Sequence, residues 1–193
     1  MMILKAMRIF VFVLCCFSVL ADFGQTSYVM AEPQKIQRSS SNEDSVLYKG
    51  RFTKNFDEIS VLHNGKESLH GLKQTAPWEV REYVLRQADI FRRMKHNMLK
   101  RISVGTLQKA LDYKFSFIIC KLSIWPHNGI VRKVSFLINH EISTDFTNED
   151  ILELENIILN TQFVPDSSIN GDFLLCYCAI DRNTIKDFLN SNK

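Results

Sequence analysis

Five side chains are best equipped to do chemistry in this chain of 193 residues: Cys120, Cys176, Cys178, His127 and His140. A thiolate is a nucleophile, and a histidine within hydrogen-bond reach can generate it. Cys176 or Cys178 with His127 or His140 as base is therefore one enzymatic reading. It is the weaker one, because both cysteines fall in the middle of an apolar, strand-like run (DFLLCYCAID, 172–181) and no recognised nucleophile motif surrounds them. In an oxidising compartment an odd number of cysteines points to one disulfide and a spare thiol. Cys120 could bridge to Cys176 or Cys178, and the alternative is three thiols packing as small hydrophobes. His63 and His70 invite a metal reading, but they have no Cys, Asp or Glu at ligand spacing, so neither metal nor cofactor is expected. There is no P-loop, dinucleotide fingerprint, HExxH or EF-hand loop. These absences leave a contact surface as the expected working part, not a reaction.

The elements that would position these residues lie between residues 114 and 181. Residues 115–124 (FSFIICKLSI) are rich in β-branched and aromatic residues and read as a strand. Pro126-His-Asn-Gly129 is turn chemistry, and 130–139 is the return strand. Thr147 is placed to cap a helix over 147–160, with Asp150 completing a variant capping box and Phe146 and Ile151 at staple positions. Pro165 prevents continuation, Asn170-Gly171 turns the chain, and 172–181 forms the third strand. The short turn pairs the first two strands as a hairpin, and the helix returns the third alongside the first. The expected fold is an α+β two-layer sandwich: a three-stranded antiparallel sheet of order 2-1-3, two main helices on one face, and a preceding short β-hairpin arm. Its edge strands would be 130–139 and 172–180.

The first long helix is expected over about 78–101, opened by Thr75-Ala-Pro77. Val80, Val84, Phe91, Met94, Met98 and Ile102 form its apolar stripe. Arg86, Arg92, Arg93 and Lys100 lead a basic outer face, which reads first as a solvated surface and second as a nucleic-acid or membrane contact. Gly105 breaks the pattern, 106–113 adds a turn or two of helix, and 184–189 forms a short terminal helix. Upstream, 45–74 reads as the hairpin arm, with strands at 46–54 and 59–69 and an Asn64-Gly65 turn signal. The arm is expected to cover the far face of strand 115–124. Residues 32–44 are polar and Ser-rich, the composition of a disordered leader.

Residues 1–31 read as a secretory signal. Lys5 and Arg8 precede an apolar run over 9–21 that includes Cys15 and Cys16 and is too short for a bilayer. Cleavage fits after Ala21 or Ala31, and an uncleaved anchor is the alternative. Loss of Lys5 and Arg8 takes the formal charge from +3 to +1, and loss of Asp22 as well gives +2. A nearly neutral chain gives no bulk-charge argument for nucleic acid, so that partner is disfavoured. Membrane contact is expected only through an uncleaved signal or the basic helix, and no small-molecule substrate is expected.

The order helix, strand, Asn-Gly turn, strand, helix, Phe-x-Pro, Gly, strand resembles the C-terminal domain of TonB and TolA proteins over about residues 80–181. The residues that carry the likeness are Pro126-His-Asn-Gly129, Val131, Val134, Asp145-Phe146, Gln162-Phe163-Val164-Pro165 and Gly171. The family's long periplasmic arm has no counterpart here, and its Ser-Gly after the second strand is replaced by Asn139-His-Glu-Ile-Ser143. Energy transduction is therefore not expected. What the resemblance implies is a sheet edge offered to partner peptides, since an edge strand has unpaired N–H and C=O groups that an extended peptide can complete. The expectation is a non-enzymatic, periplasmic or secreted protein. It would bind a protein or peptide along Asp172, Phe173, Leu175, Tyr177 and Ala179, or in second place along 130–139, with an effector role on a host protein as the variant for a fully secreted chain.

Overall fold

The computed structural model describes residues 32–37, 44–63, 69–113 and 116–191. The signal segment, residues 38–43 of the leader and the Asn64-Gly65 turn lie outside them. The described strands are β1 (Glu32–Gln37), β2 (Asp44–Arg51), β3 (Phe56–His63), β4 (Ile118–Trp125), β5 (Ile130–Asn139) and β6 (Leu174–Ile180). They form one antiparallel sheet in the order β1-β2-β3-β5-β4-β6. The helices are α1 (Pro77–Arg86), α2 (Ala88–Leu99), α3 (Val104–Ala110), α4 (His140–Ser143), α5 (Asn148–Leu159) and α6 (Arg182–Ser191). The class is α+β, as expected, and the expected 2-1-3 order is the β5-β4-β6 half of the sheet.

The other half departs from expectation in three ways. Strand 130–139 is not an edge, because Phe56–Ser60 of β3 pairs with Asn139–Ser135. The hairpin arm does not cover a face of the sheet; it lengthens the sheet sideways. Glu32–Gln37, expected in a disordered leader, pairs with β2 from Glu32↔Lys49 to Gln37↔Asp44. The reason is shared by all three. A strand added to a sheet with one covered face needs only alternate apolar residues, and Leu47, Ile59 and Val61 supply them, each 0–1% exposed. β2 is joined to β3 through 52–55, where the Thr53 hydroxyl accepts from the backbone N–H of Asn55 and Phe56 (3.2 Å each).

One continuous core lies between the helices and one face of this sheet. It takes every second strand residue: Ile118, Cys120, Leu122 and Ile124 from β4, then Leu174, Cys176, Cys178 and Ile180 from β6. Phe91, Met94 and Met98 of α2, Leu107 of α3, Ile142 of α4, Ile151, Leu154 and Ile158 of α5 and Ile185 of α6 close it from the other side. Ile119 and Leu137 are buried but belong to the opposite face, outside this cluster. Helices on a single face agree with expectation.

The single helix expected over 78–101 is two helices. The break at Gln87 has a tertiary cause: its buried side chain clamps the backbone of Val164, with Nε2 donating to the carbonyl and Oε1 accepting from the N–H (3.1 Å each). α1 consequently turns Tyr83 fully into the core, a residue outside the expected stripe, while Val80 and Val84 are only partly buried. The α5 start is as read. Thr147 and Asp150 exchange both capping-box bonds, and Phe146 and Ile151 are buried. The terminal helix is longer than the expected 184–189.

Candidate functional site

Among the described residues two strands end this sheet, and they are unlike. β1 (EPQKIQ) carries Glu32, Pro33 and Lys35, the charges and proline that blunt an edge against further pairing. β6 (LLCYCAI) has no charge and no proline, and its register with β4 is unbroken from Leu174 to Ile180.

The direction of the β6 backbone groups follows from its first neighbour. Lys73–Thr75 runs parallel to the chain at Phe173: the Phe173 N–H donates to Lys73 O (3.4 Å) and the Thr75 N–H to Phe173 O (2.9 Å). Strand geometry sends successive residues' polar groups to alternate sides. Leu175, Tyr177 and Ala179 therefore aim their N–H and C=O groups the same way as Phe173, away from β4. Among the described residues no hydrogen bond reaches these outward groups from Leu175 to Ala179. Their side chains lie on the sheet face opposite the described helices, with Tyr177 57% exposed and Leu175 and Ala179 half-buried. Burial and the nearby Glu58 push the Tyr177 hydroxyl above its ordinary value.

Asp172 and Phe173, expected in the same surface, are already engaged. The Asp172 carboxylate accepts from the Lys73 N–H (2.7 Å) and its own N–H donates to Lys73 O (2.8 Å). The Phe173 ring is buried 6.0 Å from the Trp125 ring. The available edge is thus shorter than the sequence reading had it, and it starts where the chain's own covering segment stops.

The three described cysteines, Cys120, Cys176 and Cys178, are buried and free. The register sets Cys120 directly opposite Cys178, with Cys176 opposite Leu122. None makes a hydrogen bond among the described residues. Burial drives all three thiols up: Cys120 well above its ordinary range, Cys176 likewise with Cys178 adding to it, and Cys178 to about 11 despite the pull of Lys95. His127 is exposed in the β4–β5 turn and His140 opens α4, so neither stands as base to a thiol. Alkylation of the native protein at about pH 8 is accordingly expected to run about 100-fold or more below that of the denatured chain, because only the thiolate reacts. A single cysteine labelling at the denatured rate in the native protein would contradict this burial.

His140 belongs to a polar cluster that the sequence reading missed. Arg51 donates to His140 Nε2 (2.6 Å), which leaves the ring proton on Nδ1 to bond Asp57 (2.8 Å). Asp57 also pairs with Arg51 Nε (3.0 Å) and accepts from the Ser143 hydroxyl. The serine addresses the carboxylate and not the imidazole, so this is no nucleophile relay. It ties the β2–β3 turn region to α4. Ser143 and Asp57 lie 86 positions apart, a spacing with no local signature.

The basic helix face is partly neutralised. Arg86 pairs with Asp166, and Arg92 with Asp89. Arg93 and Lys100 have no ion pair among the described residues. A shallow hollow on this face is lined by Asp89, Arg92, Arg93, His96 and Asn97. His70 is exposed, and among the described residues no group of three His, Cys, Asp or Glu side chains could hold a metal ion. No described helix is long and apolar enough to cross a membrane.

No family model, curated protein or solved structure matches this chain. The likeness to TonB and TolA C-terminal domains rests on the residues quoted for it above.

Proposed function

We propose that this is an exported, non-enzymatic protein that binds an extended segment of a partner protein by adding it as a strand beside β6. The observation that carries this reading is the row of backbone groups at Leu175, Tyr177 and Ala179 that have no partner among the described residues, on an uncharged edge next to a segment, Lys73–Thr75, that already bonds the same edge at Phe173. Main-chain bonds supply affinity in such a mode and alternate side chains supply specificity. Tyr177, Leu175 and Ala179 would take that second part. Export rests on the signal-like residues 1–31, and the same surface serves a periplasmic or a fully secreted protein. Lys and Pro, the usual guards of an exposed edge, stand on β1 and not on β6.

The test uses short peptides selected from a random library against the whole protein. Each is remade with N-methyl groups on one or the other alternate set of its amides. Strand addition requires that methylating one set abolish binding while the other set is tolerated, and that Leu175→Pro, which removes an outward N–H, lose binding without loss of fold. Equal tolerance of both methylated sets would sink the reading.

A further inference from the structure

Resting on that reading, we infer that the edge selects an acidic partner: an extended peptide with carboxylate side chains at alternate positions and apolar residues between them. The argument is one of charge on the open face. Strand register places Ser60, Ser135, Lys121 and Tyr177 in one row across the sheet, and Lys133, Ser123 and Leu175 in the next. Lys121 thus stands directly behind the edge residue Tyr177, and Lys133 one strand further back, behind Ser123 and Leu175, on the side where a docked strand would place half of its side chains. Neither lysine has an ion pair or hydrogen bond among the described residues. Arg132, the extra residue where the β4–β5 register shifts at Ser123/Ile124, adds a third cation, held over the Trp125 ring at 5.2 Å. A carboxylate on the same face, Glu58 of β3, lies in the neighbouring row with Leu137, Ile119 and Ala179, with β5 and β4 between it and β6 but near enough to act on the Tyr177 hydroxyl. Two further carboxylates stand at the ends of the edge, Asp172 accepting from the Lys73 N–H and Asp181 from the Thr184 N–H, with Lys121 between them opposite Tyr177.

On the other side of the edge, the neighbours are Cys176 and Cys178, 3% and 4% exposed and without charge. A strand docked here would put one set of side chains beside apolar β6 residues and the alternate set within reach of the long Lys121 side chain, with Lys133 a strand further back. Unpaired cations behind an uncharged edge attract carboxylates and repel lysine or arginine at those positions, and this repulsion is what discriminates between partners.

The probes are three short capped peptides in which Val alternates with Glu, Gln or Lys, measured by fluorescence anisotropy against the whole protein. The Glu peptide is expected to bind about 10-fold or more tighter than the Lys peptide, with Gln between, and the gap should narrow as salt is raised. In the double variant Lys121→Glu, Lys133→Glu the order should reverse, with the Gln peptide unchanged as the check that the edge itself survives. Equal affinities for all three peptides would overturn the acidic preference and leave strand addition standing. Failure of all three to bind would overturn both.

Discussion

Gly129→Ala is expected to destabilise this protein by about 3 kcal/mol or more, lowering the melting temperature by about 6–12 °C. Gly129 has φ 68°, a region that costs a side-chain-bearing residue strain. A Cβ there would also stand 2.0 Å from the carbonyl oxygen and 2.7 Å from the carbonyl carbon of Phe163. That neighbour is backbone, and it is held in place by its own N–H donating to Gly129 O (3.0 Å), so no rotamer change can relieve the clash. Two other glycines separate the causes. Gly71 has φ 82° but nothing within 4 Å of the added carbon, so Gly71→Ala should show the strain alone, about 1 kcal/mol. Gly105 sits inside α3 with only the Ser103 hydroxyl near, at 3.9 Å, so Gly105→Ala should be mildly stabilising, by about 0.5–1 kcal/mol. Thermal melts of the three variants side by side check the ranking. A Gly129→Ala protein no worse than Gly71→Ala would refute the close approach.

The second large effect is expected at Phe163. Its ring is 1% exposed, 4.8 Å from the Phe91 ring and 6.4 Å from the Tyr83 ring. Phe163→Ala should cost about 3–5 kcal/mol through lost burial and the cavity left between α1 and α2. Phe163→Leu, which keeps much of the volume, should cost clearly less. Urea titrations give the comparison, and the midpoint should fall without a change in slope. Because Gly129 and Phe163 touch, the double variant should depart from additivity. A loss below about 1 kcal/mol for Phe163→Ala would mean that the ring does not lock α1 and α2 to the segment after α5.

These two residues also explain why the turn and the post-helix segment were readable together. Asn128-Gly129 marks a turn and Phe163-x-Pro165 marks the end of a helix, and each is a local signal. Their meeting is not local: Gln162 Nε2 donates to Asn128 O (2.7 Å), and the Asp166 N–H donates to Pro126 O (2.8 Å), across more than 30 positions.

What the sequence determined by itself was whatever depends on neighbours along the chain. The Thr147–Asp150 capping box, the tight turn before Ile130, the alternation that buries Cys120, Cys176 and Cys178 on the core side, and the 2-1-3 order of β5, β4 and β6 all follow from short-range geometry. The shared placement of Leu175, Tyr177 and Ala179 was legible for the same reason, since strand alternation puts them on one face. Only the tertiary structure decided which backbone edges remain open. Whether β5 is an edge depends on β3 arriving from 70 or more positions away, and whether Asp172 and Phe173 are free depends on Lys73–Thr75. The break at Gln87 needed Val164, and the Arg51–Asp57–His140–Ser143 cluster needed three elements, β2, β3 and α4, that no motif links. Backbone hydrogen-bonding groups are identical at every residue, so the sequence carries little record of which of them find partners; that is settled only when distant strands compete for the same edge.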